Sequence, residues 1–237
     1  MREKASKTLT IALPSKGRLM EKAQDLFAAA GYEISRIGSA RGYQGKISGI
    51  ENAEVAFLSA GEIAQSLMDG TIEVGVTGED LLRETIPDAD AVVDMSVRLG
   101  FGHADVIVAL PKCWLDVANM ADLDEVCEDW YATHNKRLRV ATKYLRITRR
   151  FFADKGVTGY RIVESLGATE GAPASGTAQV IVDITSTGST LEANNLKVLD
   201  DGLIFQSEAV LGVAKQALPD PRISEMQARL KQQVSNS

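Results

Sequence analysis

The sequence predicts an α/β protein made of two α/β lobes with a cleft between them, and three observations lead there. Short apolar runs rich in β-branched residues alternate with segments of helical periodicity along the whole chain, which argues for parallel sheets flanked by helices. Glycines near Gly100 and a hydroxyl-rich turn near Gly188 mark two crossings between halves. They give one lobe over 1–103 plus 188–237 and a second over 104–187 that carries the hydroxyl-rich loop at its end. The 237 residues, 45% of them hydrophobic, suffice for a sizeable core in one large domain or two small ones.

The elements follow in order. Met1 to Lys7 is polar and reads as a loose tail. Leu9 to Leu13 is the first strand, broken by Pro14-Ser15-Lys16-Gly17. A helix from about Arg18 to Ala30 carries Leu19, Ala23, Leu26, Phe27 and Ala30 at helical spacing, with Gly31 as its stop. This strand–turn–helix entry presents Lys16 and Arg18 to a phosphate or carboxylate. Residues 34–50 are glycine-rich, and Arg41 to Gly45 reads as a loop closing on a ligand or as a hairpin tip. Glu54 to Leu58 is a strand, Gly61 to Met68 a short helix, and Gly70 its stop. Val74 to Val76 is a buried strand, and Thr77-Gly78-Glu79-Asp80 opens a helix, with Thr77 as N-cap and the acids in the first turn.

Ala91 to Met95 and Ala104 to Leu110 are strands, with His103 at the start of the second. A lone histidine there is read as a hydrogen-bonded structural residue, and His134 as surface. The helix Leu123 to Thr133 carries Val126, Cys127, Trp130 and Tyr131 on an apolar stripe read as core. Leu138 to Ala141 is a strand, Thr142-Lys143-Tyr144 its exit, and Ile147 to Lys155 a helix. Between Lys136 and Arg150 lie seven basic residues and no acid, a place for polyanion binding in which Lys143 and Tyr144 are the favoured pair. Tyr160 to Val163 is a strand, and Glu170 to Ser175 a short helix broken by Pro173. Lys197 to Asp200 and Leu203 to Val213 return the chain to the first half, and Ile223, Met226, Leu230 and Val234 form a stripe on a last helix.

The stretch around Val180-Ile181-Val182 organises the rest. This β-branched run fills a buried parallel strand, then meets Asp183 and the hexapeptide Thr185-Ser186-Thr187-Gly188-Ser189-Thr190 before a helix starts at Leu191. A small hydroxyl-rich turn between a strand and a helix N-terminus is an anion cradle: amides point outward, hydroxyls add donors, and the helix dipole favours negative charge. Gly188 lets the backbone approach a ligand. Asp183, at the strand end, is placed to face sugar hydroxyls or a cation.

Composition excludes several classes. With 26 basic and 32 acidic residues the net charge is −6, which argues against a general nucleic-acid partner. No apolar run approaches a membrane span, and no leader pattern follows Met1. Cys113 and Cys127 lack metal-site spacing and disulfide density, which points to a reducing, cytoplasmic setting.

The spacing of Glu170, Gly176, Ala178, Ile181, Asp183, Ile184, Thr187, Gly188, Thr190 and Leu191 resembles the signature of the ATP phosphoribosyltransferase family. So do the motifs at Ala12 to Leu19, Gly75 to Leu82 and Val140 to Gly156, and the likeness runs from about Leu9 to Val213. The chain is similar to the short form of the family, and the resemblance implies a two-lobed fold similar to type II periplasmic binding proteins. It further implies that ATP is joined to 5-phosphoribosyl 1-diphosphate with Mg2+, in the first step of histidine biosynthesis. Carried onto this sequence, Asp183, Thr185, Ser186, Thr187, Gly188, Ser189 and Thr190 would bind phosphoribosyl diphosphate, with Asp183 facing the ribose hydroxyls or helping to place the metal, for which no other protein ligand is assigned. Lys16, Arg18, Thr77, Gly78, Asp80, Lys143 and Tyr144 would lie around ATP. No general base emerges. Short members work with a histidyl-tRNA-synthetase-like regulatory subunit, which implies a homodimer within a hetero-oligomer. The sequence departs from the family where an arginine is expected near Ser59; Arg41 and Arg83 are the candidates to replace it. Two other readings stay open: a non-catalytic solute-binding or sensor domain on the same fold, and a type I phosphoribosyltransferase. The latter is weakened because Val182, not a second acid, precedes Asp183.

Overall fold

The computed structural model describes residues 8–38 and 42–236, so the expected tail at Met1 to Lys7 and the candidate Arg41 lie outside the described residues. In chain order the elements are β1 (Leu9–Pro14), α1 (Gly17–Ala29), β2 (Ile34–Arg36), β3 (Gln44–Ile47), β4 (Ala53–Leu58), α2 (Ala60–Asp69), β5 (Val74–Gly78), α3 (Glu79–Thr85), α4 (Ala89–Val92) and β6 (Val93–Arg98). There follow β7 (Ala104–Pro111), α5 (Met120–His134), β8 (Leu138–Thr142), α6 (Leu145–Asp154), β9 (Tyr160–Glu164), β10 (Val180–Thr185), α7 (Ser189–Ala193), β11 (Leu196–Ser207), β12 (Ala209–Ala214) and α8 (Pro221–Ser235).

The chain divides into two compact units, Met1–Gly102 with Glu208–Ser237, and His103–Ser207. The return therefore falls at Ser207, not near Gly188 as the sequence suggested. The reason is β11, which hydrogen-bonds antiparallel to β7 from Leu196 to Ser207 and so keeps that stretch in the second unit.

Among the described residues, the first unit holds a sheet ordered β2-β3-β4-β1-β5-β12-β6. Strand β1 is parallel to β4 and β5, whereas β12 is antiparallel to β5 and β6. The alternation along β1 explains the layering. Leu9, Ile11 and Leu13 face Ala23 and Phe27 of α1 and Ile223, Met226 and Leu230 of α8, while Ala12 faces Ile63 and Leu67 of α2 and Leu82 of α3. Ser59 closes the start of α2 with a capping box, accepting from the Glu62 amide while Glu62 accepts from the Ser59 amide, and Gly70 ends the helix in the left-handed conformation. Within the glycine-rich stretch, Ile34–Arg36 and Gln44–Ile47 pair antiparallel as β2 and β3. The strand expected at Ala91 starts at Val93, after the short helical turn α4.

The second unit has the order β11-β7-β10-β8-β9. Strand β10 is parallel to β8 but antiparallel to β7. Both sheets are thus mixed, and the expectation of parallel sheets is corrected: alternating strands and helices reported the layering, but strands returning from the other unit run the opposite way. The helix expected over Glu170 to Ser175 is a 3-10 turn at Thr169–Gly171. On α5 only Met120, Leu123 and Cys127 are buried; Tyr131 is 54% exposed, so the apolar stripe continues onto the surface.

Candidate functional site

Strand β10 delivers the hydroxyl-rich turn. Val180, Ile181 and Val182 are fully buried between β7 and β8, which fixes where Asp183 and Thr185 leave the sheet. Gly188 then takes φ +74°, a left-handed conformation costly for any residue with a Cβ, and acts as N-cap of α7. A Cβ added there meets nothing within 4 Å, so its outer side is open. The turn is tied from within. The Gly188 amide donates to Thr185 Oγ1 at 3.0 Å, the Thr187 and Ser189 hydroxyls pair at 2.8 Å, and the Ser186 hydroxyl donates to the His103 carbonyl at 2.9 Å. His103 thus serves through its backbone, as a structural residue. Ser186, Thr187, Ser189 and Thr190 are exposed. The Ser189 amide also donates to Thr187 Oγ1 at 3.4 Å, so what the turn offers an anion is a helix start whose amides are held by its own hydroxyls, with the side chains of Thr187, Ser189 and Thr190 exposed beside it.

Asp183 sits at the base of this turn, its side chain 17% exposed. Burial pushes its carboxyl above the usual range and Glu170 adds to this, while the Ile184 amide, Lys143 and Thr169 pull the other way. Its Oδ1 accepts from the Ile184 amide at 2.9 Å, and Lys143 Nζ stands 3.8 Å from it. Lys143 reaches this point from the exit of β8, the strand parallel to β10, so the two strand ends place an acid and a base side by side. Tyr144 is fully buried and starts α6, its amide donating to Thr142 Oγ1 at 2.8 Å; the Lys143 ammonium lies 5.0 Å from its ring centre. Structure therefore brings Asp183, Lys143 and the turn 185–190 together.

The first unit holds the other candidates. Lys16 is the N-cap of α1, makes no side-chain cap bond, and is exposed together with Arg18. Thr77 is not the N-cap of α3: Gly78 is, and it makes no side-chain cap. Thr77 is buried, its hydroxyl donating to the Ala60 carbonyl at 2.9 Å. Gly78 has φ −73°, which any residue adopts, but a Cβ would lie 2.3 Å from Asp80 Oδ1, so that carboxylate would have to shift. Asp80 itself is buried.

Sequence reading missed two arrangements. Arg36 donates to the Ser15 carbonyl and to the Gly42 carbonyl, both at 2.7 Å, with its guanidinium 3.8 Å from the Phe57 ring centre. It holds the turn before α1, and an arginine in a glycine-rich stretch was the available signal. The second is a network at the crossing. Buried Glu79 pairs with Arg83 and Arg98, and Arg98 pairs with Glu208 at 2.7 Å. Arg83 also bonds Asp90, so it is committed to this network rather than standing in for the arginine absent at Ser59. Among the described residues no group of three His, Cys, Asp or Glu side chains is placed to hold a metal ion.

Comparison with known proteins adds the following. The family model described as ATP phosphoribosyltransferase (HisG) matches residues 59–232. The ATP phosphoribosyltransferase of a Chelativorans species is 59% identical over 213 residues, covering 90% of this chain and 93% of that protein. That of Rhizobium meliloti is 58% identical over 211 residues, covering 89% and 91%. A solved structure, the ATP phosphoribosyl transferase (HisG:HisZ) complex from Thermotoga maritima, superposes with TM-score 0.75 at 24% identity, covering 97% of this chain and all of the other. The arginine-, lysine-, histidine-binding protein ArtJ from Geobacillus stearothermophilus superposes with TM-score 0.54 at 12% identity, covering 97% and 89%. At these identities the two structures speak for the fold: two sheets of the type II periplasmic-binding-protein kind.

Proposed function

The chain belongs to the ATP phosphoribosyltransferase family, and on that premise we propose which of its groups carry out the reaction. The activity is the condensation of ATP with 5-phosphoribosyl 1-diphosphate to N1-(5-phosphoribosyl)-ATP and diphosphate, the first step of histidine biosynthesis. Chemically, adenine N1 attacks the anomeric carbon while diphosphate leaves. Such a reaction asks for alignment of two polyanions and for charge complementary to a developing sugar cation and its leaving group.

The turn 185–190 holds the 5-phosphate, through the amides around Gly188 and the hydroxyls of Thr187, Ser189 and Thr190. The observation that carries this is the left-handed Gly188 opening a rigid turn directly after Asp183. Asp183 faces the ribose hydroxyls, and its anionic form balances positive charge growing on the ring; Lys143 keeps it in that form and offsets phosphate charge. Lys16 and Arg18 serve the triphosphate of ATP, around Gly78, Asp80 and the Thr77 backbone, with Arg36 fixing the turn that presents them. Tyr144 acts from the core, by supporting Lys143.

The family's divalent metal is Mg2+ in this reading, brought by the diphosphate, with Asp183 as its protein carboxylate; a small donor set suits an ion that keeps water and phosphate ligands. The working assembly is a homodimer joined to a histidyl-tRNA-synthetase-like regulatory subunit, a reading supported by the HisG:HisZ complex named above. The setting is cytoplasmic. Supporting this, both cysteines are free thiols, and burial pushes Cys127 up to about 12, so it stays an unreactive thiol at neutral pH.

The test is pyrophosphate release from ATP and phosphoribosyl diphosphate by Thr187→Ala. A KM for phosphoribosyl diphosphate raised about tenfold, with the KM for ATP unchanged, supports the assignment. Equal effects on both, or on neither, would remove the turn from the phosphate site.

A further inference from the structure

The basic stretch Lys136 to Arg150 is divided by the fold. Lys143 leaves the C-terminal end of β8 toward Asp183, whereas Lys136 and Arg137 precede β8 and Arg139 is its second residue. At that opposite end of the sheet lies a cavity of about 680 Å3, lined by Trp130, Tyr131, His134, Asn135, Lys136, Arg137, Arg139 and Arg161. Its volume falls in the range of small-molecule sites, roughly 300–1,000 Å3.

Two features are costly unless something occupies it. First, this lining holds four cations and no carboxylate in a chain of net charge −6. Arg139 and Arg161 are register partners on β8 and β9, so two guanidinium groups rise from one face of adjacent strands. Like charges placed so repel. Among the described residues the Arg139 guanidinium bonds neutral acceptors, the Gly176 carbonyl at 2.7 Å and Gln179 Oε1, and no carboxylate. Second, aromatic surface is held out in the same place. Tyr131 is 54% exposed, and the Trp130 and His134 rings stack at 4.1 Å, with His134 Nδ1 3.1 Å from the Trp130 carbonyl.

We propose that this cavity is a second ligand site, for a small planar molecule bearing phosphate, of the nucleotide class, remote from the 185–190 turn and separate from the reaction. Guanidinium groups recognise the phosphates, and the aromatic wall takes the ring. One ligand would relieve the repulsion and cover the exposed rings together.

Indole NMR of the full chain tests this, because Trp114 and Trp130 are its two tryptophans and Trp114→Phe identifies the Trp130 signal. ADP is the probe. The expected result is a saturable shift of Trp130 whose half-point rises at least about tenfold in Arg137→Ala/Arg161→Ala, with kcat/KM for the forward reaction unchanged. Arg161→Ala alone is the milder variant should the pair fold poorly, and its half-point also rises. The proposal is overturned if ADP leaves Trp130 unmoved, or if the shift survives the arginine variants. It is likewise overturned if a glutamate octapeptide binds there in preference to ADP, which would make the surface a dock for an acidic polypeptide.

Discussion

Two strand-to-helix turns in this protein look alike in composition and differ in what their atoms are free to do. From the end of β5 the chain reads Thr77-Gly78-Glu79-Asp80; from the end of β10 it reads Thr185-Ser186-Thr187-Gly188-Ser189. In the first, the hydroxyl is spent on the Ala60 carbonyl, Gly78 is pressed against Asp80, and Glu79 anchors two arginines. In the second, the hydroxyls bond each other or the backbone, Gly188 has open space beside it, and three of the five residues are exposed. We read the second turn as the binding element because its outer face is empty, although Ser186 is tied to the distant His103 carbonyl. The first is a brace, its side chains reaching into the next layer.

If this contrast is right, substitutions in the open turn change activity and those in the closed turn change stability. The largest effect is expected for Gly188→Val, where a β-branched residue at φ +74° costs about 1–2 kcal/mol and moves the amides; turnover should fall by about a thousandfold, measured as pyrophosphate release. Activity within twofold of the parent would break the comparison. Asp183→Asn is expected to lose about a hundredfold in turnover while gaining stability near neutral pH. The sign follows from burial. The folded carboxyl titrates above its ordinary 3.8, so the protonated form is the one folding favours, and that contribution is lost as pH rises through the folded value. The variant's advantage in urea unfolding should therefore be small below 3.8 and grow as pH rises.

In the closed turn, Glu79→Ala removes the buried carboxylate that Arg83 and Arg98 share, leaving Asp90 to the first and Glu208 to the second, and should cost about 2–3 kcal/mol in urea unfolding, discounted because Arg98 is half exposed. Michaelis constants for both substrates should hold within about twofold. Thr77→Val, the smallest, strips the Ala60 carbonyl of its donor and should cost about 1 kcal/mol with turnover retained. A raised KM for ATP in that variant would instead make Thr77 part of the nucleotide site.

Much of this was legible in the chain itself. Period-2 and period-3.6 patterns located β1, β4, β7, β8, α1 and α8 within a few residues, because each buries a face of its own. The hydroxyl turn stood out for the same reason: an apolar β-branched run, an acid and a Thr-Gly loop are contiguous. Three of the missed features join residues far apart in sequence. The Arg98–Glu208 pair spans 110 positions, Arg36 reaches back 21 to Ser15, and β11 belongs to the second unit because it pairs with β7. The Ser59–Glu62 capping box was local and went unread.

Local sequence determined which segments are strands and helices, and singled out the hydroxyl-rich turn, since backbone propensity and amphipathic spacing act over a few residues. Only the tertiary structure decided strand direction, where the chain returns to its first unit, and which of two similar turns stays open. Those outcomes depend on partners brought together across the chain, and no window of neighbouring residues contains them.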